Sequence, residues 1–141
     1  MKNYQSILVA IDIYSEYDQV LKRALNVVEN ASQLSVVFVT LPTTYFQPYI
    51  GGVGGDYVAD IHQQAKSRLD EIAEENSIPS KQIYLPIGYA AEEIHTLANE
   101  INVDLIVIGT HGRSGLKLLL GSTANSVLHG AKQDVLAVRI I

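Results

Sequence analysis

The chain has 141 residues, a length that fits one domain and allows a hydrophobic core to form without covalent staples. It contains no cysteine, which excludes a disulfide framework and a thiolate metal site and fits a reducing compartment. Its net charge of −5 argues against a general nucleic-acid or anionic-membrane surface. The apolar run at the N-terminus stops at Asp12, too short for a signal peptide or a membrane span, so we expect a cytoplasmic protein.

Along the chain, β-rich runs alternate with segments of helical period. Strands are predicted over residues 6–13, 34–41, 82–88, 104–109 and 134–140. Apolar stripes predict a helix after the first strand, capped by Ser15, and a long helix from Asp56. A third helix contains Ile94, and the last runs over about residues 122–130. Pro86 has no N–H for a ladder, so the third strand is predicted at a sheet edge.

This alternation predicts the fold class. Strand, helix and strand in succession give parallel strands with right-handed crossovers and helices on both faces of an open α/β sheet. We expect one domain over residues 1–141, since no repeat or linker divides it. In such sheets a ligand binds at the carboxyl ends of the strands, where the winding order reverses.

The loop after the fourth strand carries the strongest functional signal. Gly109, Gly112 and Gly121 would let the backbone take positive φ and let a phosphate approach the amide groups closely. Ser122 and Thr123 open the last helix, and their hydroxyls are placed to meet either the helix amides or a ligand. The loop therefore predicts an anion site.

Electrostatics point the same way. The helix N-terminus adds partial positive charge, Arg113 and Lys117 add cations, and His111 is placed to donate to a phosphate or a ribose. The simpler alternative is a tight strand-to-helix turn with an ordinary cap, but the repeated glycines and basic residues favour the anion site. The spacing matches neither a P-loop nor a dinucleotide fingerprint.

Asp12, near the end of the first strand, is a second candidate. A carboxylate there can accept hydrogen bonds from a ribose or reach a phosphate-bound Mg²⁺ through water, or simply cap the following turn. His62, His95 and His129 lack metal-ligand spacing, so we predict no metal site and read them as surface or satisfied residues. No nucleophile elbow or carboxylate pair is present, and we assign no catalytic residue.

Four segments together resemble the universal stress protein family: ILVAID at 7–12, VDLIVIGTHGRSGL at 103–116, GSTANSVL at 121–128 and DVLAVRI at 134–140. The resemblance runs essentially end to end, with the loop over residues 42–55 least constrained. It implies a Rossmann-like parallel sheet in the order 3-2-1-4-5 with two helices on each face. It also implies a homodimer in which the fifth strands, Val135 to Ile140, meet.

The resemblance further implies an ATP site. In the nucleotide-binding members the first-strand aspartate lies at the nucleotide, and Asp12, preceded by Ala10 and Ile11, matches it. A backbone group at the end of the second strand reads adenine in those members, and Val39 falls there.

The family's phosphate motif is glycine, two residues, glycine, nine residues, then glycine and Ser or Thr. Gly109, Gly112, Gly121 and Ser122 match it in type, but only eight residues separate Gly112 from Gly121. Non-binding relatives have lost the glycines that this chain keeps.

Two functions follow as hypotheses. The first is a dimeric ATP-binding regulator of the stress response, using ATP alone or with Mg²⁺ and hydrolysing it slowly at most. The alternative is a dimeric interaction module that binds no nucleotide.

Overall fold

The described residues, 4–42, 54–110 and 121–140 of a computed structural model, form a parallel β-sheet with helices on both faces. The strands are β1 (Ile7–Ala10), β2 (Leu34–Val37), β3 (Ile83–Tyr84), β4 (Leu105–Gly109) and β5 (Asp134–Val138). The helices are α1 (Tyr17–Val27), α2 (Gly54–Glu75), α3 (Ala90–Glu100) and α4 (Ser122–Gly130). The strand order is β3-β2-β1-β4-β5 with parallel pairing throughout, which confirms the predicted fold class.

Each strand is confirmed in place, but most end earlier than predicted. β1 stops at Ala10 because the chain turns at Asp12, whose C=O accepts the N–H of Ser15 at 3.0 Å. β3 is reduced to two residues because Pro86 has no N–H, although the C=O of Pro86 still accepts the N–H of Thr40 at 3.0 Å. Its edge position agrees with the prediction from Pro86.

Two helix starts differ from the predictions. Glu16, not Ser15, occupies the N-cap of α1, and no side-chain cap bond forms there. The reason lies in the preceding turn, where the Asp12 side chain already accepts the N–H of Tyr14 at 3.0 Å. The long helix α2 begins at Gly54, two residues before the predicted Asp56.

The core lies on both faces of the sheet because alternate residues of each strand point to opposite sides. Ile7 and Val9 pack with α1 and α2 on one face, and Leu8 packs with α3 and α4 on the other. All three are fully buried, and burying such a side chain contributes about 1.5–3 kcal/mol. The inner strands β1 and β4 therefore carry no polar side chain, as expected for strands covered on both faces.

Polar side chains join the strands at their amino ends. Both carboxylate oxygens of Asp104 accept main-chain N–H groups, from Gln5 at 2.9 Å and Ser6 at 3.0 Å. The Tyr4 hydroxyl donates to Asp134 at 2.7 Å, and this bond raises the pKa of Tyr4 above its ordinary value. These bonds fix the amino end of the sheet, opposite the end at which the strands run into the loops of the candidate site.

None of the helices among the described residues combines the length and the apolar character needed to cross a bilayer.

Candidate functional site

A cleft of about 580 Å³ opens at the carboxyl ends of the strands. It lies where the winding order reverses, since β1 pairs with β2 on one side and with β4 on the other. Residues from the first turns of α1, α3 and α4 complete its walls. Seven of the predicted site residues are among the described residues that line it: Ala10, Asp12, Val39, Gly109, Gly121, Ser122 and Thr123.

Asp12 faces this cleft and also shapes the turn beside it. One side-chain oxygen accepts the N–H of Tyr14 at 3.0 Å, so the turn-capping alternative considered from the sequence is realised. The side chain is only half-buried and belongs to the cleft lining as well. The two roles therefore coexist, and the turn bond fixes the carboxylate at the cleft.

The main chain of Val39 is directed toward the β1 side of the sheet. Phe38 and Thr40 donate their N–H groups to carbonyls of the β3 segment at 3.1 and 3.0 Å, whereas the C=O of Val37 accepts the N–H of Ile11 at 3.0 Å. Main-chain groups of an extended chain point alternately to the two sides. The N–H and C=O of Val39 therefore face the gap left where the first strand has turned away.

Gly109 and Gly121 lie on opposite sides of the loop, and neither has the positive φ that glycine would permit. Gly121 has φ −62° and ψ 157°, which any residue can adopt. Gly109 belongs to β4, and a Cβ there would meet Ile140 Cδ1 at 2.7 Å and Val20 Cγ2 at 3.1 Å. Close packing, not turn geometry, explains the glycine at 109.

The two ends of the loop meet at the cleft. The N–H of Gly121 donates to the C=O of Thr110, so the chain leaves β4 and returns to α4 at the same point. The N–H of Thr110 in turn donates to Val138 at 2.9 Å, tying this junction to β5. The predicted site residues His111, Gly112 and Arg113, and also Lys117, lie outside the described residues.

The first turn of α4 carries no acidic side chain to offset the positive end of the helix. Gly121 is its N-cap and offers no side chain, and no acidic residue occupies the first turn. By contrast, α1 has Asp18 and α3 has Glu92 and Glu93 in their first turns. Because the first N–H groups of a helix have no internal partners, this end of the cleft favours an anion.

Ser122 and Thr123 are the first two residues of α4, and both are exposed. The described lining includes the carboxylates of Asp12 and Glu16, and its described members include no Lys, Arg or His. A polyanion in this part of the cleft would therefore depend on helix amides, on a cation that it brings with it, or on residues beyond the described ones.

Several lining residues were not identified from the sequence as site residues. They include Tyr17, Phe38, Ala90 and Ile140. The available signal was positional, because each of these residues follows the carboxyl end of a strand, within about seven residues.

Three of the four histidines, His62, His95 and His129, lie among the described residues. His95 donates a ring N–H to the C=O of Val127 at 3.0 Å, as expected for a satisfied residue, and His129 is exposed. His62 differs from the expectation, since it is half-buried and its Nδ1 has no hydrogen-bond partner within the described part of the chain. In that same part, no group of three or more metal-ligating side chains is assembled.

A family model and a full-length relative both assign this chain to the same protein family. The model of the universal stress protein family matches residues 3–139. Universal stress protein A homolog 2 of Coxiella burnetii is 40% identical over 143 aligned positions, which cover 99% of this chain and 98% of that protein.

Solved structures of similar proteins share the fold of this chain. The universal stress protein UspA of Lactobacillus plantarum superposes with a TM-score of 0.80 at 23% identity, over 99% of this chain and all of that one (100%). A universal stress protein solved in complex with cAMP has a TM-score of 0.58 and 25% identity, over 98% of both chains.

Proposed function

This chain belongs to the universal stress protein family, and we propose that it is a homodimeric, ATP-binding regulator of the stress response. We place it in the cytoplasm and assign it no catalytic residue, with slow ATP hydrolysis at most. The observation that carries the proposal is the cleft at the reversal point of the sheet, in which Asp12, Val39 and the start of α4, whose first turn has no acidic residue, face one space.

Adenine is assigned to the Val39 end of the cleft. The N–H and C=O of one extended residue form a donor and acceptor pair, which matches the N1 acceptor and N6 donor on the edge of adenine. The walls near Val39 are apolar and include Val37, Phe38 and Ile94. They suit an aromatic base that leaves water on binding.

The ribose is assigned to Asp12 and Ala10 at the end of β1. A half-buried carboxylate accepts hydrogen bonds from sugar hydroxyls, and charge assistance makes such bonds roughly twice as strong as neutral ones. The turn bond from Tyr14 holds the carboxylate in place before the ligand arrives.

The phosphates are assigned to the start of α4, with Gly121, Ser122 and Thr123. Gly109, His111, Gly112 and Arg113 complete this assignment from the sequence motif. With Asp12 and Glu16 also lining the cleft, a bound Mg²⁺ would reduce repulsion between these carboxylates and the phosphates. The relative solved with cAMP supports an adenine nucleotide as the ligand class.

The homodimer is assigned to the outer edge of β5. This strand ends the sheet, and Val135 and Leu136 are only half-buried while Ala137 is exposed. An open edge strand has unpaired main-chain groups that a second copy can satisfy. Val138 and Ile140 are buried within the same chain, so the interface would use the residues before them.

Two substitutions at Gly121 test the phosphate assignment. Asp and Asn are both good N-cap residues, so Gly121→Asp and Gly121→Asn should each preserve α4 and the thermal stability. Only the Asp variant places a negative charge at the phosphates. We expect its ATP affinity to fall about tenfold or more below that of the Asn variant, measured by calorimetry. Equal affinities for the two folded variants would contradict the assignment.

A further inference from the structure

The wall of the cleft contributed by α1 is anchored from a different helix. Tyr17, the first residue of α1, lines the cleft and is half-buried. Its hydroxyl oxygen accepts a hydrogen bond of 2.6 Å from Nη2 of Arg68, which lies in α2. The Arg68 guanidinium carbon also lies 5.8 Å from the centroid of the Tyr17 ring.

Arg68 is itself held by its own helix. Its Nη1 lies 3.1 Å from Glu71 and 4.0 Å from Glu75, one and two turns further along α2. The hydrogen bond that Arg68 donates to Glu71, followed by the electrostatic influence of Tyr17, raises the pKa of Arg68 above its ordinary value. The exposed ion pairs contribute little stability individually, but together they fix the direction of the guanidinium.

This anchor matters because the first turn of α1 has weak local support. The N-cap of α1 forms no side-chain cap bond, and Glu16 and Ser15 on its approach also line the cleft. Without an anchor, a half-exposed tyrosine at a helix start samples several rotamers. The bond from Arg68 selects the one in which the ring forms a wall of the cleft.

We propose that Tyr17 contacts the uncharged nucleoside part of the ligand and that Arg68 is its positioning residue, which couples α2 to the binding site. This inference rests on the proposed function. The placement supports the nucleoside part because Tyr17 lies on α1, directly after the Asp12 turn assigned to the ribose, whereas the phosphates are assigned to α4.

The test compares binding of ATP and of uncharged adenosine by four variants. Tyr17→Phe keeps the ring and the Arg68 charge but removes the acceptor, and Arg68→Met removes the donor. We expect each to weaken both ligands by the same factor, about three- to tenfold, and the double variant to be no weaker than either single one. Lys66→Met is the matched control, since it removes a cation whose ion pair among the described residues is with Asp70 on α2, and it should bind like wild type.

Three further measurements complete the design. Arg68→Lys keeps a donor and should recover part of the affinity, whereas Tyr17→Ala should lose more than tenfold because the wall itself is gone. In nucleotide-free protein, the amides of Val20 and Leu21 should exchange faster in Arg68→Met than in Lys66→Met.

The outcomes distinguish failure of the Arg68 positioning role from failure of the proposed function. If wild type binds ATP and adenosine but Arg68→Met binds like Lys66→Met, the positioning role is wrong and the proposed function stands. A loss confined to ATP would mean that Arg68 acts by charge and would overturn the nucleoside contact. If folded wild-type protein binds neither ligand, the proposed function and the ligand contact both fail, and the exchange rates still decide whether Arg68 orders α1.

Discussion

Gly109 shows how a single residue links the core to the site. Its Cα lies so close to Ile140 and Val20 that a Cβ would meet Cδ1 of Ile140 at 2.7 Å. This tight packing places the end of β4 against α1 and the end of the chain, which is where the cleft begins. A side chain at this position would therefore crowd Ile140 whether or not a phosphate is bound.

The substitution Gly109→Ala should lower the free energy of unfolding by about 1–3 kcal/mol through overpacking, measured by urea denaturation. Ile140→Val removes the Cδ1 atom that the new methyl would meet. Adding Gly109→Ala to the Ile140→Val variant should therefore cost much less unfolding free energy than Gly109→Ala costs in the wild-type protein. A Gly109→Ala cost that is the same with Ile or Val at position 140 would contradict this packing account.

At this scale the sequence predicted residue types better than their physical roles. Gly109 and Gly121 both line the cleft, but neither takes the positive φ that was one of the two reasons given for glycine there. Ser15 was expected as a cap, and the turn formed by Asp12 takes precedence over it. Such details depend on which of several nearby polar side chains forms a hydrogen bond with a given main-chain N–H. The local sequence contains several candidates and does not decide among them.

Among the elements, the two ends of the sheet are built differently. At the amino ends, side chains from separate segments bind main-chain groups, as Asp104 does with Gln5 and Ser6, and Gln82 with the carbonyls of Ser32 and Leu34. At the carboxyl ends the first turns of three helices surround a cleft. Among the described residues, these side-chain bonds to the main chain therefore lie at one end of the sheet and the cleft lies at the other.

Removing the Asp104 side chain tests this division. Asp104→Ala leaves two main-chain N–H groups at the start of β1 without their acceptor and should cost about 1–3 kcal/mol of unfolding free energy. Asp70→Ala, which breaks an exposed ion pair within α2, is the control and should cost less than about 1 kcal/mol. If chemical denaturation gives equal costs, Asp104 does not join the strands as described.

Element types and order were predictable because periodicity is strong in this chain. Both faces of the sheet are covered, so successive residues of β1 and β4 are apolar and the two strands could be recognised as inner ones. Pro86 pointed correctly to the edge position of β3. The ends of the strands were less predictable. Individual main-chain hydrogen bonds between neighbouring strands continue beyond the regular strands, as between Ile11 and Val37. The residue at which a strand ends therefore depends on turn geometry more than on composition.

For the whole molecule, the open edge of β5 predicts self-association. Ala137 is exposed on this strand and makes a mild target, because its side chain is outside the core. Ala137→Asp would place like charges opposite each other across a two-fold axis. We expect it to convert a dimer into folded monomer in sedimentation velocity, with Ala137→Ser remaining dimeric. A dimer that persists in the Asp variant would refute the β5 interface.

The overall topology and the family followed from the sequence, and both are confirmed. The single domain over residues 1–141 stays a prediction. Of the ten predicted site residues, seven line one cleft, and His111, Gly112 and Arg113 lie outside the described part. The sequence did not identify Tyr17 as part of the site, because its contact with Arg68 joins positions 51 residues apart.

The most direct test of nucleotide binding is a calorimetric titration of nucleotide-stripped protein with ATP and Mg²⁺. The account predicts saturable binding of one ATP per chain, which would establish the shortened phosphate loop as functional. Absence of binding at millimolar ATP, in protein shown to be folded, would contradict it. That result would place the chain among the members of its family that act without nucleotide.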